Sequence, residues 1–373
     1  MSGFQPFDGA TNRTAVLVVD KTRRPFEYPV PYTVWKKVAG GRISSNMQLD
    51  EVKSNVNMVR LDASPVDPRN SASPWVTAPS TVLASCRKMC GSSSWYKARK
   101  GVYCPTNAVY WLVDRHDAGL GKVIVTNLAD TGKKKVQQVT VAIEDFFVHP
   151  LLRGKDTGRW SAESQLSIVL PQDPQARAKA MDVGRLKRAH PLTYSFFRTF
   201  EADIRGCALL KQFFDPAQDP FYSSYNVGDY TYAPYKVVWK EICQEIEAAV
   251  VVSESIPIIP DHKLVLVAFD SPEPAYFLAG FLNSSPLRLF VRVYSVQTSV
   301  SGIFDYVRIP AVADAGDVFQ TVAKLGKEAH DATKKGDESQ VRSIEARIDQ
   351  AVASFWGITP EELDNIHKVL ASM

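Results

Sequence analysis

The segment that most constrains this chain reads IEDFFVHPLLRGKDTGRW, residues 143–160. Its first half is apolar and aromatic and stops at Pro150. Its second half places Arg153, Lys155 and Arg159 on a glycine-containing turn closed by Trp160. Cations neutralise phosphates and a large flat ring stacks on a base, so these residue types suit a nucleic-acid contact. They equally suit a solvated loop with a half-buried indole.

Charge distribution weighs on the first side. The net charge is only +4, but residues 87–159 hold thirteen Lys and Arg against six Asp and Glu. Residues 311–373 hold seven against eleven. The middle suits a polyanion and the tail does not. At 373 residues, 45% hydrophobic and 23% charged, the chain can hold two sizeable cores of ordinary globular composition. It has no apolar run of membrane-spanning length and no signal-peptide pattern. Cys86, Cys90, Cys104, Cys207 and Cys243 form no CxxC pair, so a reducing cytoplasm is the expected setting. A zinc site from Cys86, Cys90, Cys104 and His116 has poor spacing, and packed cysteines are expected. His149, in apolar company before Pro150, reads as a packed histidine, not a general base.

The pattern of elements is α+β with a mixed sheet, not a regular βαβ alternation. Residues 14–19 form an apolar run suited to a strand buried on both faces. Residues 28–32 carry two prolines and cannot be a central strand. Residues 58–75 are loop-rich, and a domain boundary is expected there. A helix is expected over 79–89, and strands over 101–114, 122–127, 133–143 and 167–170, with a turn at 117–121. Helices over 176–181 and 192–214 follow, then strands over 221–227, 230–239 and 264–269. Ser271 and Pro272 open a helix through residue 282. From residue 314 the chain is helical, acidic and amphipathic, with a capping box at Thr359–Glu362. The tail is expected to pack against the body.

Residues 143–160 resemble a segment in the target-recognition domains of adenine-specific DNA methyltransferases of restriction-modification systems: an acidic residue, aromatics, Pro-Leu-Leu-Arg-Gly-Lys-Asp, then Arg-Trp. Other stretches resemble that family in the same order. Residues 7–18 with 28–32 are similar to the closing strands of the catalytic domain. Residues 96–102 and 107–111 are similar to the start of the recognition domain, and 233–240 and 278–285 to its second half.

The resemblance implies three regions: terminal catalytic-domain strands over 1–60, forming a partial α/β edge; a DNA target-recognition domain over 61–310; and a helical region over 311–373. Adenine-N6 methylation needs a glycine-rich turn for S-adenosylmethionine, an Asn/Asp-Pro-Pro-aromatic tetrapeptide and a flipped base. The chain contains no Pro-Pro, and its one Gly-x-Gly, at 119–121, precedes a strand instead of opening a helix. The expectation is therefore the carboxy-terminal part of such an enzyme, with no cofactor of its own. The catalytic domain or subunit would be supplied upstream or in trans. A separate specificity subunit, or an interaction protein that has lost DNA binding, are the alternatives. Recognition needs cations and amides at base edges and phosphates. The candidates are Lys97, Arg99 and Lys100 beside Trp95 and Tyr96; Lys133, Lys134 and Lys135; Arg153, Lys155, Arg159 and Trp160; and Tyr230, Tyr232 and Lys236.

Overall fold

A computed structural model describes residues 15–18, 21, 27–44, 46–70, 72–132, 135–294 and 300–373. At the front, β1 (Val30–Lys37) and β2 (Val56–Pro65) pair antiparallel around α1 (Leu49–Ser54), and β3 (Trp75–Ala78) adds to β2. Pro31 is tolerated because β1 is an edge strand. The doubly buried strand expected over 14–19 is not found. Ala15, Val16, Leu17 and Val18 have no regular structure, and Val16 and Val18 are each 89% exposed. Thr14 and Val19 lie outside the described residues, as do residues 7–14 of the resemblance. The expected loop over 58–75 also needs correction. The boundary at 60/61 falls inside β2, whose far end is buried at Ala63 and Ser64. The prolines that suggested a loop fall at the end of β2 and in its connection to β3.

Beyond α2 (Ser80–Met89) and β4 (Arg99–Lys100), the chain builds a first lobe. Its strands are β5 (Trp111–Gly119), β6 (Lys122–Asn127), β7 (Thr140–Glu144), β8 (Val148–Leu152), β11 (Leu166–Val169) and β14 (Ile259–Pro260). The order is β14-β8-β11-β5-β6-β7, antiparallel except for the parallel β14–β8 pair, so the sheet is mixed. The β5–β6 hairpin turns where Gly119 and Gly121 take the left-handed φ of 74° and 67°. Tyr110, Phe147, Phe197 and Tyr222 fill the core of this lobe. The helix expected over 192–214 breaks into α5 (Pro191–Thr199), α6 (Glu201–Arg205) and α7 (Ala208–Phe213), interrupted near Gly206. Residues 176–181 are a turn, not a helix, closed by the Met181 amide on the Pro171 carbonyl at 2.8 Å. Residues 221–227 are a loop, not a strand, because Tyr222 turns inward to donate to Met181 at 2.8 Å.

The second lobe is a four-stranded antiparallel sheet with a helical layer. Its order is β13-β12-β15-β4, with β12 (Tyr235–Lys240), β13 (Ala249–Val252) and β15 (Leu264–Phe269). α8 (Pro272–Asn283) is apolar nearly all round and buried. The tail supplies α10 (Asp317–Lys334), α11 (Glu338–Phe355) and α12 (Pro360–Ser372). α8 and α10 touch backbone to backbone. A Cβ on Gly326 would meet the Tyr276 carbonyl oxygen at 2.5 Å, and one on Gly280 would meet Val322 at 2.4 Å. The tail therefore completes the core of this lobe, through Val322, Ala329, Ile348, Val352 and Trp356. Thr359 accepts from the Glu362 amide at 3.2 Å and Glu362 accepts from the Thr359 amide at 2.7 Å, the expected capping box. No helix among the described residues is long and apolar enough to cross a membrane.

Candidate nucleic-acid interface

The two lobes meet beside β4. This short strand pairs with β15 through Arg99↔Leu266 and Lys100↔Val265, at one edge of its sheet. Both of its side chains are exposed, as is Lys97 just upstream. The Arg99 guanidinium lies 5.9 Å from the Tyr230 ring centroid, and Lys100 pairs with Glu241 at 2.5 Å. The chain then crosses between lobes at Gly101. A Cβ there would fall 2.2 Å from the Asp261 carbonyl oxygen, so only glycine lets the strands approach.

That crossing brings aromatic side chains from distant segments to the surface. Exposed Tyr103 stacks on His262 with centroids 4.5 Å apart. Tyr103 and Tyr225 exchange backbone hydrogen bonds at 2.9 Å, and Tyr225 stacks on Phe213 at 4.0 Å. Burial, reinforced by the Lys263 charge, holds His262 down at about 4, so the stacked imidazole is neutral near pH 7. Exposed Lys263 follows, and Gly154 packs on its side chain, which brings the turn carrying exposed Lys155 alongside. Lys100 and Lys263 thus lie near the His262 ring and Arg99 near Tyr230, with Lys155 next to the Gly154–Lys263 contact. Cations reach phosphates and flat neutral rings stack on bases, so this surface can hold nucleic acid.

The remainder of the 153–160 turn points inward, which corrects the expectation for three of its residues. Arg153 is 8% exposed. It grips Asp156 with two parallel bonds, Nε to Oδ2 at 2.6 Å and Nη2 to Oδ1 at 2.9 Å. A guanidinium this buried and already paired with a carboxylate is not presented to a phosphate. Trp160 is 1% exposed, in a left-handed conformation with φ 64°. Its indole donates to Glu345 at 2.7 Å, and its carbonyl lies 3.0 Å from Nδ1 of His330. Arg159 bonds to Glu345 and to the Asn283 carbonyl. The Arg-Trp pair therefore anchors the turn to α8, α10 and α11.

Lys236 is a fourth correction. It sits on β12, covered on both faces, fully buried, with Nζ donating to the Ala233 carbonyl at 2.6 Å. Burial pulls its ammonium down to about 8. Tyr232 is half-buried under the Arg177 guanidinium, 5.2 Å from its ring, and lines a cleft in the first lobe. Lys135 is exposed and paired with Asp130 at 3.0 Å, in the loop between β6 and β7. Lys133 and Lys134 lie outside the described residues. Sequence reasoning missed Tyr103, Phe213, Tyr225, His262 and Lys263. They come from four segments, and no spacing within one segment marks them.

No family model matches the chain, and no curated protein matches it. Among solved structures it is similar to the Type IIL restriction-modification enzyme MmeI, determined in complex with DNA. The identity is 10% and the TM-score 0.47, over 92% of this chain. The match spans 42% of that enzyme's chain.

Proposed function

We propose that this chain reads double-stranded DNA as the target-recognition part of an adenine-N6 DNA methyltransferase of a restriction-modification system. One observation carries the DNA reading. Exposed Arg99, Lys100, Lys155 and Lys263, from three segments, accompany the Tyr103–His262 and Phe213–Tyr225 stacks, with Lys100 and Lys263 near the His262 ring. Cations interleaved with flat rings are the footprint of a nucleic-acid contact. The methyltransferase part of the reading rests on the ordered resemblance of the segments quoted above. On that reading the catalytic partner holds S-adenosylmethionine and the target adenine, and this chain chooses the sequence. The exposed run Ala15–Val18 is a surface that a catalytic domain, attached or supplied as a separate subunit, would cover.

The test is fluorescence anisotropy with a labelled duplex from about 50 to about 200 mM salt, where counterion release makes affinity fall steeply. Affinity that stays flat would sink the proposal, as would an undiminished affinity in the Arg99→Glu/Lys100→Glu variant. Methyl transfer on mixing with a separately expressed catalytic domain tests the remainder.

A further inference from the structure

The first lobe carries a second feature, the cleft that Tyr232 lines. Its volume is about 520 Å³, within the roughly 300–1,000 Å³ of small-ligand clefts. Two rings flank it. Phe146 is 55% exposed, and Tyr232 lies edge-to-face with His149 at 5.7 Å. Two exposed guanidiniums, Arg115 and Arg177, lie among its lining residues.

The polar atoms of its lining are the unusual part. Gln172 is 4% exposed and His149 9%. Gln172 Oε1 and His149 Nδ1 are buried, and neither has a hydrogen-bond partner among the described residues. The amide of Gln172 is not misassigned. Its Nε2 donates to the Arg177 carbonyl at 3.2 Å, a bond that only the NH2 end can make. An orphaned buried polar group costs about 1–3 kcal/mol, and one ligand edge satisfies both of these once the two side chains turn toward the cleft that their residues line. Gln172 Oε1 needs an N–H donor. Burial first, then the Lys236 and Arg115 charges, hold His149 at about 4. A neutral imidazole nitrogen can accept a hydrogen bond or, in the other tautomer, donate one.

The charges indicate what accompanies the polar edge. Of the two carboxylates that line the cleft, Asp173 is taken by Arg185 at 2.7 Å and by the Gln175 amide at 2.8 Å, which leaves exposed Asp145 against Arg115, Arg177 and Lys236. Lys236 lies buried near His149, and burial alone acts on its ammonium, with no carboxylate paired to it among the described residues. The field over the cleft therefore favours an anion. A flat heterocycle with an N–H on its polar edge and an attached phosphate meets every requirement.

We infer that this cleft binds a single nucleotide, with its base against exposed Phe146, its polar edge on Gln172 and His149, and its phosphate on Arg115 and Arg177. The source is either a free nucleotide or one unstacked residue of a strand, since both present the same chemistry. The inference stands apart from the duplex reading, because none of these residues belongs to the surface around β4.

Calorimetry on the full chain tests it, with dAMP, dCMP, dGMP and dTMP as probes and inorganic phosphate and deoxyribose 5-phosphate as controls. The expected result is binding of at least one mononucleotide, about tenfold or more tighter than either control. Arg177→Ala, at an exposed position, is expected to weaken that binding about tenfold. Gln172→Leu is expected to abolish it in a chain that still unfolds cooperatively, since it removes the unsatisfied acceptor at the cost of one hydrogen bond to the Arg177 carbonyl. A single-stranded 12-mer that binds tighter than any mononucleotide, and loses that gain in Gln172→Leu, identifies an unstacked base as the source. Equal affinity for mononucleotide and 12-mer identifies a free nucleotide. Mononucleotides that bind no better than phosphate, or that bind a folded Gln172→Leu chain undiminished, overturn the assignment. The Arg99→Glu/Lys100→Glu variant should keep full mononucleotide affinity, so failure of the duplex reading and failure of this one are read separately.

Discussion

Arg153 and Arg99 belong to equally basic, equally aromatic stretches, yet they have opposite fates. Arg153 faces Asp156 inside a turn whose next corner is a buried tryptophan. Arg99 stands on an edge strand with a tyrosine ring at its flank and solvent beyond. The difference lies in what each chain neighbourhood can satisfy by itself. An Arg-x-x-Asp turn closes its own ion pair and can be buried. A two-residue edge strand has backbone bonds on one side only, and its long side chains stay outside. Cation density in a sequence therefore marks a candidate surface, but a carboxylate three residues away can remove a cation from it.

The largest expected effect tests the buried side. Trp160→Ala should cost about 3–5 kcal/mol in urea unfolding, because it empties a fully buried site and removes the indole's hydrogen bond to Glu345. Duplex affinity of the molecules that remain folded should not change. A variant that melts normally but loses DNA would reverse the assignment of this residue. Arg153→Ala should cost about 3–5 kcal/mol as well, since it leaves Asp156 buried without its partner.

Lys236 gives the next effect, and its sign is specific. Its folded pKa, about 8, lies below the roughly 10.4 of an unfolded lysine, so the unfolded chain binds more protons between those values. The cost of burying the ammonium is present in full below pH 8 and is relieved as pH rises toward 10. Stability of the wild-type chain relative to Lys236→Met should therefore rise over pH 8–10, by on the order of 3 kcal/mol. A flat difference across that window would mean that the ammonium is solvated in solution. The outward cations should behave in the opposite way. Arg99→Glu/Lys100→Glu should shift stability by about 1 kcal/mol or less and reduce duplex affinity about tenfold to a hundredfold at low salt.

Much of the fold was legible wherever a signal is local. The capping box at Thr359, the Ser271–Pro272 start of α8 and the 117–121 hairpin are decided by a few adjacent side chains, and each is found. The run 14–19 misled because apolar residues suit a buried strand, yet the four described residues at its centre find no covering neighbour. The site was half legible. Lys97, Arg99, Lys100 and Lys155 were readable as exposed cations. Tyr103, Tyr225 and His262 were not, because a single close crossing at Gly101 assembles them across more than a hundred residues. The Arg153–Asp156 pair was visible as RGKD, but the same four letters describe a phosphate loop and a closed ion pair. Only burial separates the two.

The smallest effects are the sharpest on where the surface ends. Each cation that contacts a phosphate adds about −0.9 to the slope of log affinity against log salt. Lys155→Ala and Lys263→Ala should each make that slope shallower by about one, because Lys263 lies near the His262 ring and Lys155 next to the Gly154–Lys263 contact. Lys135→Ala should leave it unchanged. Lys135 lies in the β6–β7 loop, at the far edge of the sheet from β14 and the crossing. A slope that changes equally in all three variants would mean that the field of the whole basic middle segment draws DNA, with no defined surface. A change confined to Lys155 and Lys263 would mean that the duplex lies along β4 and the turn beside it.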